Sequence, residues 1–305
     1  MPIKFNPKIS IVIPNWNGVH LMRQHLPHVV AAAAGAEIVV TDDASSDESV
    51  AFLQTNFPEV KIVDNKTRQG FAGNVNRGVE AARGDIVVLL NTDVRPQKGF
   101  LESLVRHFTD PVVFAVGCLE ESHEPEGIVR RGRGVARWEK GFFVHARGRV
   151  DKTDTAWVSG GSGAFRRSLW QKLGGMDPLF NPFYWEDIDL CYRALKAGYR
   201  LVFEPRSVVG HFHEEGKIKR EFTPAQVKRI AYRNQFIFIW KNLSDLKFWL
   251  QHILWTPWRL GQAILRGDFL FIAGFIWALA RLPRVARRRL KESRYWQKSD
   301  REIFP

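Results

Sequence analysis

The first ninety residues alternate between short apolar runs and longer mixed stretches. The runs are Ile9 to Pro14, Glu37 to Thr41, Val60 to Val63 and Asp85 to Leu90. Each is rich in Val and Ile and nearly continuous, without the every-second-residue polarity of a strand that has one wet face. Such runs suit strands buried on both faces of a parallel sheet. The intervening stretches are long enough for crossover helices. The order is βαβαβαβ, and it predicts an open α/β sheet. No G-x-G-x-x-G follows the first run, which argues against a dinucleotide dehydrogenase.

From about Glu120 to Thr155 the periodicity gives way to a stretch rich in Gly, Arg and Glu, expected to be a loop or hairpin insertion. Order returns at Trp157 with WVSGGSGAFRR and a short helix ending near Gly174-Gly175. Glu186 to Ala197 has helical spacing, with Ile188, Leu190, Cys191, Ala194 and Leu195 as its apolar side and Gly198 as a stop. Arg200 to Phe203 reads as a further strand. Beyond Thr223-Pro224, a natural cap and first helical position, the chain is expected to be helical throughout. The pattern divides the chain into an α/β unit over 1–222 and a helical, basic region over 223–305.

Composition adds a charge question. The chain has 305 residues, 45% hydrophobic and 25% charged, with a formal net charge of +13. A surplus of that size points to nucleic acid, an anionic membrane or phosphorylated substrates. From Arg281 to Arg301 nine Lys and Arg stand against two acidic residues, a net of +7, so more than half of the excess lies in one C-terminal stretch. No nucleic-acid-binding motif accompanies it, and no nucleic-acid partner is expected. Two cysteines, Cys118 and Cys191, do not make a disulfide framework and suit a reducing compartment. The N-terminus, MPIKFNPKIS, lacks a charged-then-apolar leader, so the expected location is the cytoplasm or a surface facing it.

In an open α/β sheet, ligands bind beyond the carboxyl ends of the strands. After the four runs come Pro14-Asn15-Trp16-Asn17-Gly18, then Asp42-Asp43-Ala44-Ser45-Ser46-Asp47, then Asn65 with Arg68-Gln69-Gly70-Phe71-Ala72-Gly73, and then Asn91-Thr92-Asp93. All four ends carry polar groups to one edge. Asp93, directly after IVVLL, could hold a divalent cation against a diphosphate, or could simply form a turn. Asp42 could accept from the imide N–H of a uracil or thymine ring, although ASSDES also resembles a helix cap. Arg68 could reach a diphosphate or stay solvated. Trp157 and Trp185 could stack on a sugar or fill core. His20, His25 and His28 have no matching partners and are expected at the surface.

Together, PNWNG, VVTDDASSDES, RQGFAGNVNRGVEAARGD, LLNTD, SGGSGAFRR, GGMD, WEDIDLCYRALKAGYR and PRSVVGH resemble, in order, the motifs of family 2 glycosyltransferases, most of all the bacterial rhamnosyltransferase-like branch. The resemblance covers roughly residues 8 to 240. It implies a GT-A fold, a Rossmann-like nucleotide-binding sheet with an acceptor-binding half, and a UDP- or dTDP-sugar donor. It implies donor-binding roles for Pro14, Asn15, Asp42, Asn65, Arg68, Gly70, Asn91 and Asp93, with Asp42 on the base. Asn91-Thr92-Asp93 matches the D-x-D motif, its first Asp replaced by Asn, with Asp93 on a Mg²⁺ or Mn²⁺ ion. Asp187 matches the catalytic base. His211, ahead of the nearby His213, matches a histidine that can complete the metal site. Trp157, Gly160, Gly161, Trp185 and Glu186 fall where the acceptor would bind. Inverting transfer needs one base and one charge-stabilising group on the departing diphosphate, which this set supplies. At the start of its helix, Asp187 is expected to be kept ionised by the helix dipole. A sugar-1-phosphate nucleotidyltransferase would show a Gly-rich basic signature after the first strand, and PNWNG is not one. A catalytically inactive scaffold of the same fold would be expected to have lost some of Asp42, Asp93, Asp187 and His211.

The C-terminal region fits a membrane surface. Phe269 to Ala280, FLFIAGFIWALA, is twelve residues, well short of the roughly 20 that a spanning helix needs. FWLQHILWTPWRLGQAIL is broken by Gln, His, Pro and Arg. Trp, Phe and Leu mixed with Arg, followed by RLPRVARRRLKESR, predict amphipathic helices lying on an anionic leaflet, peripheral on the inner face of the cell membrane. The alternative to the membrane surface is that the same helices pack on the α/β unit or contact a second copy of the chain. A glycan or polyprenyl-linked acceptor follows from the membrane reading.

Overall fold

A computed structural model describes residues 6–212 and 221–304. The four predicted strands are β1 (Ile9–Asn15), β2 (Glu37–Asp42), β3 (Lys61–Asp64) and β4 (Ile86–Leu90), joined by α1 (Val19–Ala32), α2 (Ser49–Asn56) and α3 (Gly70–Ala81). After β4 come β5 (Val94–Pro96), α4 (Phe100–Val105), β6 (Val113–Glu124), β7 (Gly127–Arg131), β8 (Gly134–Glu139) and β9 (Phe142–Arg147). Then follow β10 (Ser162–Arg166), α5 (Arg167–Leu173), α6 (Glu186–Lys196) and β11 (Arg200–His211). The remainder is α7 (Pro224–Asn242), α8 (Leu246–Leu265), α9 (Phe269–Leu279), α10 (Leu282–Glu292) and α11 (Asp300–Ile303).

Among the described residues nine strands form one sheet in the order β3-β2-β1-β4-β10-β6-β11-β5, with β7 hairpinned onto β6. β1 to β4 are parallel, β10 runs antiparallel between β4 and β6, and β11 is parallel to β6. The continuous apolar runs are explained by the two cores they feed. Ile11, Ile13, Ile86, Val88 and Leu90 pack on Met22, Leu26, Leu53 and Leu104 from α1, α2 and α4. Their neighbours Val12, Val87 and Leu89 point to the other face, against Val75 and Val79 of α3, Trp170 of α5 and Leu190 of α6. Each such side chain, removed from water, contributes about 1.5–3 kcal/mol.

Of the two forms expected for the irregular stretch over Glu120–Thr155, the structure has the hairpin: the end of β6 pairs with β7 and β8 with β9, and exposed residues such as Ile128 and Val129 carry no buried-face pattern to read. Two other expectations are corrected. β11 runs past Phe203 to His211, through Pro205, with a register break between Glu204 and Val208. A proline is tolerated in a strand at such an irregularity, so it concealed the continuation without ending it. His25 is buried rather than superficial: its Nδ1 accepts from Arg95 Nε at 2.7 Å, and its ring lies 5.1 Å from that of Phe212. His28 is exposed and His20 half-buried.

The helical region shares a core with the rest. Phe236–Trp240 of α7 and Phe271 of α9 pack with Phe142 and Phe143 of β9 and with Trp185, Ile188 and Tyr192 at α6. α7 starts as expected, with Thr223 and Gln226 forming reciprocal capping bonds. A boundary at 222/223 would cut this third core.

Candidate active site

The carboxyl ends of β1 and β4 open into a cavity of about 950 Å³, within the size range of small-molecule sites. On the β1 side, Pro14, Asn15 and Trp16 line it, and the Arg68 guanidinium stacks 3.4 Å from the Trp16 ring centroid. Arg68 is therefore held flat on an aromatic face at the wall. Asp43 faces the cavity and accepts from the backbone N–H groups of Gln69 (2.6 Å) and Gly70 (2.9 Å), fixing the start of α3. Burial pushes its carboxyl above the usual range, against those backbone bonds and the Arg68 charge.

Asp42 is placed differently from expectation. It is buried behind the wall, where it accepts from Asn15 Nδ2 (2.7 Å), the Ser45 backbone N–H (2.8 Å) and Ser45 Oγ (2.6 Å). At the strand end the pleat turns Asp42 inward and its neighbour Asp43 toward the ligand space. Asn65 likewise lies behind the wall, donating to Asn74 Oδ1 at 2.9 Å. The capping role read into ASSDES falls to Asp47, whose carboxylate accepts from Ser49 N (3.0 Å) and Val19 N (3.0 Å).

At the end of β4, Asn91, Thr92 and Asp93 turn on the cavity wall. β11 brings His211 beside them, its Nε2 3.3 Å from Asp93 Oδ1 and its Nδ1 3.5 Å from Glu120 Oε2 on β6. Burial alone would lower the His211 pKa, but the Asp93 and Glu120 carboxylates outweigh it and raise it to about 10. The two carboxylates therefore favour a proton on the ring, which a cation held by Asp93 and His211 would displace. The donor set, one carboxylate and one imidazole facing a cavity, fits Mg²⁺ or Mn²⁺. Among the described residues no cluster of three or more acidic, His or Cys side chains could hold a metal by itself. His213 lies outside the described residues.

Across the cavity stands the Glu186-Asp187 pair. The two residues before it, Tyr184 and Trp185, have φ of 69° and 79°. Left-handed backbone at two large residues in succession is strained, and it turns the first carboxylates of α6 into the cavity. Asn234 of α7 holds the strained loop, its Nδ2 lying 2.8, 3.1 and 2.8 Å from the carbonyls of Phe180, Phe183 and Tyr184. Asn234→Asp would set a carboxylate against those carbonyls. It should lower turnover about 10- to 100-fold while donor affinity holds, because small displacements at a reacting centre cost that much. Calorimetric donor binding alongside a product assay checks the split.

Glu186 is buried and its pKa is raised to about 8, by burial first and the Asp187 charge second. Burial also raises Asp187, against bonds from Gly160 N (3.3 Å) and Ile188 N (2.7 Å). Desolvation thus opposes the helix field expected to act on Asp187.

Gly160 and Gly161 join the two halves. Gly161 O accepts from Asn91 N at 2.9 Å, while Gly160 N donates to Asp187 Oδ2. A Cβ at Gly161 would lie 2.5 Å from Asn91 Nδ2, and one at Gly160 2.6 Å from Met176 Cε. A side chain at either position would displace the Asn91 or Met176 side chain.

Trp157 and Trp185 do not line the cavity. Trp185 packs on Phe143, His145 and Phe238, and Trp157 on His145 and Gly134. The aromatic wall is supplied by Phe71, Phe183, Tyr184 and Phe222, and Arg131 and Arg147 add charge from the hairpins. Trp16, Asp43 and Phe71 stood in the strand-end segments without a role assigned to them, and Phe183, Tyr184, Phe222, Arg131, Arg147 and Glu120 were not singled out from the sequence.

The profile of glycosyl transferase family 2 matches residues 10–174, more than half of the chain and the ends of β1 to β4. The chain belongs to glycosyltransferase family 2. Among its relatives, the pre-mycofactocin glycosyltransferase of Mycobacterium tuberculosis is 30% identical over 212 residues, 67% of this chain and 43% of that one. The chain therefore spans less than half the length of that relative. The N-acetylglucosaminyl-diphospho-decaprenol L-rhamnosyltransferase of the same organism is 25% identical over 304 residues, 90% of this chain and 94% of that one. A crystal structure of GalNAc-T7 with UDP, GalNAc and Mn²⁺ superposes with a TM-score of 0.63 at 20% identity, covering 77% of this chain and 48% of that one. The chain has the GT-A fold: a mixed, parallel-rich sheet flanked by helices, with added C-terminal helices.

Proposed function

We propose that this glycosyltransferase transfers a sugar from a UDP- or dTDP-sugar to a hydroxyl of a lipid-linked acceptor, with inversion at the anomeric carbon. One observation carries the reading: Gly160-Gly161 ties the Asn91-Thr92-Asp93 turn to Asp187 through adjacent backbone bonds in one cavity. Asp187 takes the proton of the acceptor hydroxyl as its oxygen bonds to the anomeric carbon and the bond to the diphosphate breaks. Asn15 and the Trp16–Arg68 stack hold the nucleotide side. Asp93 and His211 would hold a divalent cation, which when bound offsets the charge growing on the departing diphosphate. The GalNAc-T7 complex with Mn²⁺ supports that assignment, and the decaprenol-linked relative supports the acceptor class. A thermal-shift panel of nucleotide sugars with Mn²⁺ tests the reading. A donor at 100 times its Kd adds about 2.7 kcal/mol of stability. No response to any nucleotide sugar would remove the proposal.

Metal binding should depend on the donor. Asp93 and His211 alone offer two ligands and a proton to displace, so Mn²⁺ titrated into the free protein should bind weakly and tighten when a nucleotide diphosphate is present. Excess chelator should abolish transfer. Tight stoichiometric Mn²⁺ binding without nucleotide, or full activity in chelator, would contradict this.

The C-terminal helices dock this enzyme on the inner face of the membrane. Leu246, Leu250, Ile253, Leu254, Trp258 and Leu265 form an exposed stripe at helical spacing along α8, and Phe269, Ile276 and Leu279 are exposed on α9. Among the described residues no single helix is long and apolar enough to cross a membrane; Phe269–Leu279 with Leu282–Tyr295 would qualify only as a pair bent by 64°. Shallow insertion of the stripe plus attraction of the net +7 tail, about 1 kcal/mol per basic residue near the surface, gives peripheral binding. Flotation on anionic vesicles should therefore weaken as salt rises, the screening length being about 10 Å at 0.1 M. Equal flotation on neutral lipid at high salt would indicate a span, and none at all a packing or dimer surface.

A further inference from the structure

Three arginines gather on one indole behind the cavity wall. The guanidinium carbons of Arg229 and Arg233 on α7 and of Arg281 before α10 stand 5.0, 4.1 and 5.4 Å from the Trp277 ring centroid. Gly274 brings α9 onto α7 at this point: a Cβ there would lie 2.8 Å from Tyr232 Cβ and 3.1 Å from Arg233 N. Nearby cations have acidic partners, as in Lys228–Asp268 and Lys196–Asp300. Among the described residues none of these three arginines forms an ion pair, and the electrostatic neighbours of Arg233 are Arg281 and Arg229. Arg233 is fully buried and its Nη1 has no hydrogen-bond partner. Burial, and then its two like-charged neighbours, lower its pKa to about 9. Three cations with one buried, open N–H call for an anion.

The cluster lies between two surfaces that one molecule could bridge. Arg281 Nη1 donates to Leu179 O at 3.0 Å and Arg233 Nη2 to Asn181 O at 2.6 Å, and the next residues, Pro182, Phe183 and Tyr184, line the cavity. On the other side, Ile276, Leu279 and Leu282 are exposed. We propose that Arg229, Arg233 and Arg281 bind the diphosphate of a lipid-linked acceptor. This rests on the transfer reading above. Guanidinium forks match phosphate oxygens in pairs, and the indole gathers the three at one place. The lipid chain lies along the apolar helices and the acceptor sugar reaches toward Asp187.

The test titrates the full chain with phosphatidylcholine vesicles containing a polyprenyl diphosphate, with vesicles matched in charge by phosphatidylglycerol, and with inorganic pyrophosphate. The unaltered protein should prefer the diphosphate vesicles about tenfold, the worth of one charge-assisted hydrogen bond. Arg229→Gln, at an exposed position that keeps the fold, should erode that preference, and Arg229→Gln with Arg281→Gln should abolish it. Nucleotide-sugar affinity, measured by calorimetry on the same proteins, should stay unchanged. Variants that keep the preference would overturn the proposal. So would equal binding to the phosphatidylglycerol vesicles, which would mean general headgroup attraction, or equal binding of pyrophosphate, which would mean a soluble anion. If the unaltered protein bound no nucleotide sugar, the transfer reading itself would fail. Donor binding without a diphosphate preference would sink the phosphate site alone.

Discussion

Asp187→Asn should lower turnover about 10²- to 10⁴-fold and leave donor affinity nearly unchanged, the loss usual for a general base. Asn keeps an oxygen for the Ile188 N–H, which Asp187 accepts at 2.7 Å, so the start of α6 should hold its shape. The informative control is Glu186→Gln. Burial, and after it the Asp187 charge, raise the Glu186 pKa to about 8 and so favour its protonated form, with which Gln is nearly isosteric. Turnover of Glu186→Gln at pH 7 should therefore stay close to that of the unaltered enzyme, with the two diverging above pH 8. The linkage has a definite sign. Because the folded pKa lies above the ordinary carboxyl value of 4.5, this group costs stability as pH rises from about 4.5 through 8, and Glu186→Gln should remove that slope. A product assay and donor calorimetry across pH separate the two carboxylates. Unchanged turnover in Asp187→Asn would move the base role to Glu186.

Much of the site was legible because strands buried on both faces announce themselves as unbroken apolar runs. Once Ile9–Asn15 and Ile86–Leu90 are strands, Asn15 and Asp93 must stand at one edge of the sheet. What pattern cannot supply is which of two neighbours faces the ligand. Asp42 and Asp43 are adjacent carboxylates, and the bonds that turn one inward come from Asn15, on another strand, and from Ser45 in the following turn, neither of which a hydrophobic period records. Trp157 and Trp185 show the same ambiguity, since the chemistry that stacks on sugar also fills a core. Glu120 was hidden for a different reason. It ends the apolar run of β6, where exposed hairpins begin and the alternation fades. The third core was the least legible: α7 reads as polar and apolar in nearly equal measure because Arg233, Asn234, Lys241 and Asn242 are buried among its apolar residues.

Lys241→Met should cost about 3–5 kcal/mol of stability, the loss expected when one partner is removed from a buried charge network. Lys241 is fully buried, with Nζ 2.9 and 2.8 Å from the Asp189 oxygens, 2.9 Å from Asp177 Oδ2 and 3.0 Å from Glu292 Oε2. Arg193 joins Asp189 at 2.8 Å, and Arg288 approaches Asp177 at 3.4 Å. Three carboxylates, Asp177, Asp189 and Glu292, thus meet three cations, Lys241, Arg193 and Arg288, and removing Lys241 leaves an uncompensated negative charge. Burial opposes the Asp177 charge, but Lys241 and Arg288 prevail and hold its pKa below the usual value of 3.8. In the intact network that depressed group contributes stability above pH 3.8, lost as pH falls through the folded value. In Lys241→Met one carboxyl instead takes up a proton, and its folded pKa rises above the unfolded one. The stability gap between the two proteins should then be widest near pH 7 and shrink toward pH 4, as urea midpoints measured across that range would record. The exposed Lys66–Asp64 pair, 2.6 Å apart on the surface, supplies the contrast: Lys66→Met should leave the midpoint where it is. The network also joins the helix that carries Asp187 to α7, so a partial loss of transfer in Lys241→Met that recovers on mild acidification would follow the refilled charge balance. A gap that did not change with pH would mean that lost packing, and not the stranded charge, accounts for the cost.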